Sequence, residues 1–282
     1  MTFELSPFTA IADGVYLAQA QPACVTIGLV VGRESALVID TGSSPAQGAA
    51  ILAAAQDVAG EVPVRHVVIT HAHFDHYFGL GGFSGVTSVA HRGLFAAAHA
   101  APIPADQRES LGVTPDDLVA PTTTFSLATT LDLGDCYVEV VHFGRGHTDH
   151  DVVVLIPERA VVFAGDLLES DGGPWAGEDT WPSEWPQTLD GMLGTLGKDS
   201  IVVPGHGPTM SREDAFAQRA ELAWYGGKAE ELYDARTPAQ GSWREGGEWP
   251  WPQEQSEAFM EIAMRRLAAS GRRPSRSLRL LT

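Results

Sequence analysis

"HVVITHAHFDHYFG", residues 66–79, runs from an apolar, strand-like segment straight into a cluster of His71, His73, Asp75 and His76. The chain has ten histidines, and three of them fall in these six positions. Neutral imidazole and carboxylate are the ligands that suit a borderline divalent metal such as zinc. His71 and His73 are two residues apart, so on extended backbone both point to one side. Asp75 and His76 come after a bend and can serve a neighbouring position.

Three more polar residues sit at the ends of apolar runs. His147 lies in "GRGHTDHD" (144–151), ahead of an apolar strand. Asp166 closes "AVVFAGD" (160–166), and His206 lies in "VVPGHG" (202–207). Glycines flank each, and glycine lets backbone turn sharply and approach a ligand closely. Strand ends are also where open α/β architectures place functional side chains. With the opening cluster these make a set of seven, enough for two metals: three histidines for one, two histidines and an aspartate for the other, and a carboxylate between them.

The surrounding chain reads as strands and helices that could bring such a set together. Strands are expected at 24–32, 35–42, 64–70, 86–91, 129–144, 151–157, 160–166 and 200–207. Helices are expected at 44–60, capped by Ser44 with Pro45 at the first helical position, and at 92–100 and 184–197. Residues 101–122 read as a surface loop with one helical turn. From 211 the texture becomes helical, with 211–235 capped by Ser211 and a second amphipathic helix at 254–270. Between them lies a Gly/Pro/Trp-rich loop, 237–252.

Composition removes several classes of function. The 282 residues carry a formal net charge of -18, which repels phosphate backbones and anionic membrane surfaces. No nucleic-acid or membrane partner is expected. Two cysteines, Cys24 and Cys136, are too few for a disulfide framework. Residues 1–20 show neither a basic region nor an apolar core of an export signal. No run of about 18 apolar residues suggests a membrane span, so the cytoplasm is the expected location.

The motif His-x-His-x-Asp-His at 71–76, followed in order by Gly-His at 146–147, Gly-Asp at 165–166 and Gly-His at 205–206, resembles the metallo-beta-lactamase superfamily. The resemblance covers roughly residues 10–210. It implies an α/β fold, a four-layer αββα sandwich with metals at one edge between two sheets. Residues 1–210 would form that domain, and 211–282 a C-terminal helical extension packing on it. By position, His71, His73 and His147 would bind a first metal, and Asp75, His76 and His206 a second, with Asp166 bridging. Asp40 in "VIDTG" matches the family's supporting acid. The two divalent ions would be zinc, with iron or manganese as substitutes.

The chemistry the resemblance implies is hydrolysis, with a water shared by two cations deprotonated near neutral pH and attacking a carbonyl. Asp75 would orient that water or relay its proton. Aspartate at 166, where the best-known zinc beta-lactamases have cysteine or serine, points toward an ester, thioester or lactone-like substrate and a glyoxalase II-like ligand set. The alternatives are a mononuclear iron enzyme resembling persulfide dioxygenases, and a weak, promiscuous beta-lactamase. A small-molecule substrate is the expected partner, with a second copy of the chain as a candidate. The segment 169–186, with Trp175, Trp181 and Trp185, reads as a pocket wall or a packed surface loop. Trp243, Trp249 and Trp251 form a second tryptophan cluster. Arg265, Arg266, Arg272, Arg273, Arg276 and Arg279 make a basic C-terminus that either stays solvated or docks on the acidic body or on a second subunit. His150 is read as capping the next strand or lining the pocket. His66, His91, His99 and His142 match no ligand position.

Overall fold

The computed structural model describes residues 3–100, 105–239, 241 and 248–274. Trp243, Arg276 and Arg279 lie outside the described residues. The first sheet contains β1 (Thr9–Ala12), β2 (Val15–Ala20), β3 (Val25–Val31), β4 (Ala36–Ile39), β5 (Val64–Val68), β6 (Thr87–His91) and β7 (Thr123–Phe125), side by side in chain order. Its first four strands are an antiparallel meander. From β4 to β7 the pairing is parallel, because helices carry the chain back between strands. These are α1 (Pro45–Ala59), the short α2 (Phe74–Tyr77) and α3 (Leu94–Ala100).

The second sheet holds β8 (Ala128–Asp132), β9 (Tyr137–Val141), β10 (Val153–Ile156), β11 (Val161–Gly165) and β12 (Ile201–Pro204). It is antiparallel except for β11 and β12, which are parallel and joined through α5 (Trp185–Leu193). α6 (Arg212–Asp234) and α7 (Gln253–Ala269) follow. Ser211 and Asp214 close a capping box at the start of α6: Ser211 Oγ accepts the Asp214 N–H at 3.1 Å, and Asp214 accepts the Ser211 N–H at 3.0 Å.

Three apolar cores separate four layers. Ile51 and Ala55 of α1 pack with Ile27, Val38 and Val67 on the outer face of the first sheet. Leu37, Ile39 and Val68 of that sheet meet Val138, Val154 and Phe163 of the second. Leu155, Val162 and Val202 on the far side of the second sheet pack with Trp185 and Leu189 of α5, Leu222 and Tyr225 of α6, and Phe259 of α7. Strands β4, β10 and β11 are buried at every residue because both their faces are covered. In β9 burial alternates, with Val138 and Val140 turned to the other sheet. The architecture is therefore the expected αββα sandwich with C-terminal helices.

Some local expectations change. The segment after 104 contains a full helix, α4 (Ala105–Leu111), and a 3-10 turn at Pro115–Asp117 capped by Thr114, where a loop with one turn was expected. Strands β1, β2 and β7 had no counterpart in the sequence reading. Of the second tryptophan cluster, Trp251 folds inward: it stacks on Tyr225 with ring centres 4.0 Å apart and fills the space beside Gly173. The described part of the basic C-terminus docks on the acidic body: Arg265 pairs with Glu178, and Arg272 with Glu230 and Asp234. No described helix is long and apolar enough to cross a membrane.

Candidate metal centre

The parallel strands β4, β5, β11 and β12 all finish at the same edge of the sandwich, and the antiparallel β10 begins there. Asp40 follows β4, residues 70–76 follow β5, His147 precedes β10, Asp166 follows β11 and His206 follows β12. The fold thus brings all seven sequence-predicted residues together in two adjoining groups. His71, His73, His147 and Asp166 make one, and Asp75, His76 and His206 the other, each with donor atoms within 4.8 Å of one another. Asp166 touches both: its Oδ2 lies 3.6 Å from His71 Nε2 and 3.6 Å from His206 Nε2, and its Oδ1 lies 3.1 Å from His76 Nε2. Gly205 makes this approach feasible, since a Cβ there would fall 1.8 Å from Asp166 Oδ1.

The hydrogen bonds on the outer side of each ring assign its tautomer. His71 Nδ1 faces Thr70 Oγ1 at 3.1 Å, and that hydroxyl donates to Asp40 at 2.9 Å, so it accepts from His71. His147 Nδ1 donates to the Trp175 carbonyl at 3.2 Å. His73 Nε2 donates to Asp179 at 3.0 Å. His71 Nε2, His73 Nδ1 and His147 Nε2 are left carrying lone pairs. These three atoms converge, with His73 Nδ1 3.1 Å from His71 and 2.8 Å from His147. Lone pairs facing one another at that range repel unless a proton or a metal cation lies among them.

The second group has the same character. His76 Nδ1 donates to Asp40 Oδ2 at 2.8 Å, turning Nε2 toward Asp75 and Asp166. His76 Nε2 and Asp166 Oδ1 are buried 3.1 Å apart, and neither makes a well-aligned hydrogen bond among the described residues. Poorly satisfied polar atoms are rare in protein interiors, and a metal ion would engage both. This donor set fits divalent metal: imidazole nitrogens and carboxylate oxygens, with outer partners that fix ring orientation.

The charge balance agrees. Burial, and the neighbouring charge of His76, hold His71 well below the ordinary histidine value. Burial and His73 lower His147 in the same way. Burial lowers His206 too, but its hydrogen bond to Asp75 and the charge of Asp166 outweigh that and raise it to about 9. For His76 the burial effect is again overcome, here by Asp166, Asp40 and Asp75, so it stands well above the ordinary value. The carboxylates demand positive charge. Burial lowers His73 too, but the hydrogen bond and charge of Asp179 outweigh it, so the carboxylates favour the protonated forms of His73, His76 and His206, and an ion would displace those protons.

A model of the metallo-beta-lactamase superfamily matches residues 24–206. The chain belongs to the metallo-beta-lactamase superfamily. Metallo-beta-lactamase type 2 of Bacillus sp. (strain 170) is 30% identical over 146 residues, covering 51% of this chain and 52% of that protein. Metallo-beta-lactamase domain-containing protein 1 of Xenopus laevis is 30% identical over 151 residues, covering 51% of this chain and 54% of that protein. The chain thus spans about half the length of these curated relatives. Among solved structures, a metallo-beta-lactamase from Pontibacter korlensis aligns with a TM-score of 0.64 at 23% identity, covering 79% of this chain and 99% of that one. That likeness supports the fold.

The superfamily frame leaves room for residues that sequence reasoning missed. Asp179, partner of His73, is one of several acids in 169–186, and no spacing rule singles it out. Glu169 is buried; burial and the charge of Asp166 raise it to about 7, and its Oε1 accepts the Trp175 N–H at 2.9 Å. Thr70 links Asp40 to the ligand loop through its backbone N–H and its hydroxyl. His150 does not cap β10; Thr148 and Asp151 bond to each other there. Instead His150 Nε2 accepts the Ala72 N–H at 3.1 Å and lines the cavity over the site. His66, His91, His99 and His142 fall outside both groups. The cavity has a volume of about 980 Å³ and is walled partly by Trp175, Trp181 and Arg266.

Proposed function

We propose that the protein is a binuclear metal-dependent hydrolase acting on an ester, thioester or lactone-like carbonyl. His71, His73 and His147 would hold one ion, Asp75, His76 and His206 the other, and Asp166 would face both. The observation that carries this reading is the convergence of three inward-facing histidine nitrogens beside a second group of His76, Asp75 and His206, with Asp166 reaching both. Two divalent ions, most naturally zinc, supply a Lewis acid for the substrate carbonyl and lower the pKa of water toward neutrality.

The chain's own residues do the rest. Asp75 presents a carboxylate to the cavity, 3.3 Å from His206 Nε2, where it can orient water and take its proton. Asp40, Thr70 and Asp179 keep the histidine rings turned inward. Residues 1–210 would carry the chemistry, and the helices of 211–282 would support the wall of the cavity.

Metal analysis and a substrate panel test the reading. The expected result is about two equivalents of zinc per chain and turnover of thioesters, esters or lactones. His73→Ala should retain its circular dichroism spectrum while losing metal and turnover. Turnover confined to phosphodiesters would overturn the reading, and one iron with oxygen uptake would favour the dioxygenase-like alternative. The names of the curated relatives give a specific reason to include β-lactams in the panel. Efficient β-lactam hydrolysis would replace the proposed substrate class.

A further inference from the structure

Trp175 lines the cavity beside the proposed metal site, yet its side chain is 56% exposed. Of the other tryptophans around this segment, Trp185 and Trp251 are buried and Trp181 is half-buried. An indole left in water forgoes one of the largest apolar burials a side chain offers. Such an exposure at a cavity is a binding feature when the ring is held in place, and here it is. The Trp175 backbone N–H donates to Glu169 Oε1 at 2.9 Å, and its backbone carbonyl accepts from His147 Nδ1 at 3.2 Å, fixing the main chain from which the ring projects. The ring stands edge-on to His73 with centres 5.4 Å apart. It lies over Gly177, where a Cβ would come within 2.4 Å of the ring, so the glycine gives the indole its resting place.

The rest of the lining matches an apolar guest. Ala72, Phe74, Phe78, Ala97 and Ala98 contribute to it. Asp149, Glu178 and Asp179 stand at the rim, but Asp149 faces His150, Glu178 pairs with Arg265 and Asp179 with His73. Arg266 also reaches the cavity, but its guanidinium already donates to the carbonyls of Thr180 and Glu178 and stacks on Trp181. A substrate carboxylate would lose its hydration against this apolar lining, a cost that a neutral aromatic group avoids.

We propose that Trp175 is a stacking platform for the substrate, and that the cavity selects a flat, apolar acyl group without negative charge. The proposal rests on the hydrolase reading above for the identity of the reacting bond. Its recognition element is separate from the metal ligands.

The test uses the full chain loaded with zinc and matched thioesters of one thiol. The acyl groups are acetyl, phenylacetyl and para-carboxyphenylacetyl. In parallel, calorimetry measures binding of ketone analogues in which a methylene replaces the sulfur. Phenylacetyl should exceed acetyl in kcat/KM, and its analogue in affinity, by roughly tenfold or more. The para-carboxyl group should remove most of that gain. Trp175→Ala, and Gly177→Ala by displacing the ring, should collapse the preference, whereas Trp175→Phe should retain much of it. Metal content and circular dichroism of each variant confirm an intact fold. A wild-type protein with no phenylacetyl preference, equal binding of the carboxylated analogue, or an undiminished preference in Trp175→Ala overturns the proposal. Trp175-dependent binding of the analogue without turnover of any thioester, ester or lactone would leave the platform standing and reject the hydrolase reading instead.

Discussion

His76 donates its Nδ1 proton to Asp40 Oδ2 across 2.8 Å, where β4 and β5 end side by side at the floor of the site. The same carboxylate accepts the Thr70 N–H at 2.8 Å. One buried acid therefore sets both the tautomer of a proposed ligand and the start of the loop that carries three others. Asp40 has a positive φ of 65°, which asparagine also tolerates. Asp40→Asn should keep the backbone but turn an amide N–H toward the His76 N–H. We expect zinc affinity to fall about 10- to 100-fold in chelator competition. An unchanged affinity would show that Asp40 does not orient the site.

Gly205→Ala tests the packing behind Asp166. The new methyl would collide with Asp166 Oδ1 and crowd Gly165. Overpacking of this kind costs about 1–3 kcal/mol. The metal-free variant should melt at lower temperature, and because Asp166 faces both groups, its uptake of both zinc equivalents should weaken. Normal uptake with a normal melting curve would contradict the geometry.

His91 predicts an acid-sensitive component of stability away from the metal groups. Its ring stacks on His142 with centres 4.4 Å apart. Burial, together with the charges of His142, His150 and Arg92, lowers it from 6.5 to about 4. Between those values the unfolded chain binds the extra proton, so stability rises with pH and is lost as pH falls from 6.5 toward 4. In the metal-free protein, moving from pH 7.5 to pH 5 should lower the urea midpoint more in wild type than in His91→Gln. Equal losses would refute the assignment.

The wall of the cavity depends on α7. Trp181 lies between two guanidinium groups, Arg145 at 3.8 Å and Arg266 at 4.2 Å from its ring centre. Arg266 also donates to Thr180 O at 3.0 Å and Glu178 O at 2.7 Å, on either side of Asp179. Arg266→Ala should destabilise the protein by about 1–3 kcal/mol and speed proteolysis within 169–184. Arg266→Lys should restore only part of the loss, since an ammonium lacks the planar fork. Proteolysis at the wild-type rate in Arg266→Ala would mean that the segment is held by other contacts.

Much of the site was legible because its residues end strongly apolar runs. His71, Asp166 and His206 each follow a run that had to be a buried strand, and glycines mark the turns beside two of them. The edge strands β1 and β7 were not legible. They are short and partly exposed, and their stability comes from backbone pairing with β2 and β6 rather than from an apolar pattern. Asp179 and Glu169 were hidden for a different reason. They belong to a segment with several acids, and only contact distinguishes the one that meets His73 from the one that meets the Trp175 backbone.

By itself, the sequence determined that seven donors of metal-binding type stand at the ends of strands, because periodicity and glycine placement are local properties. Tertiary structure alone decided which nitrogen of each ring faces inward, since that depends on outer partners such as Asp40 and Asp179, which lie 36 and 106 residues from the histidines they hold. The same holds for Trp175. Its exposure in a cavity closed partly by α7 is a consequence of long-range packing, and no local pattern encodes it.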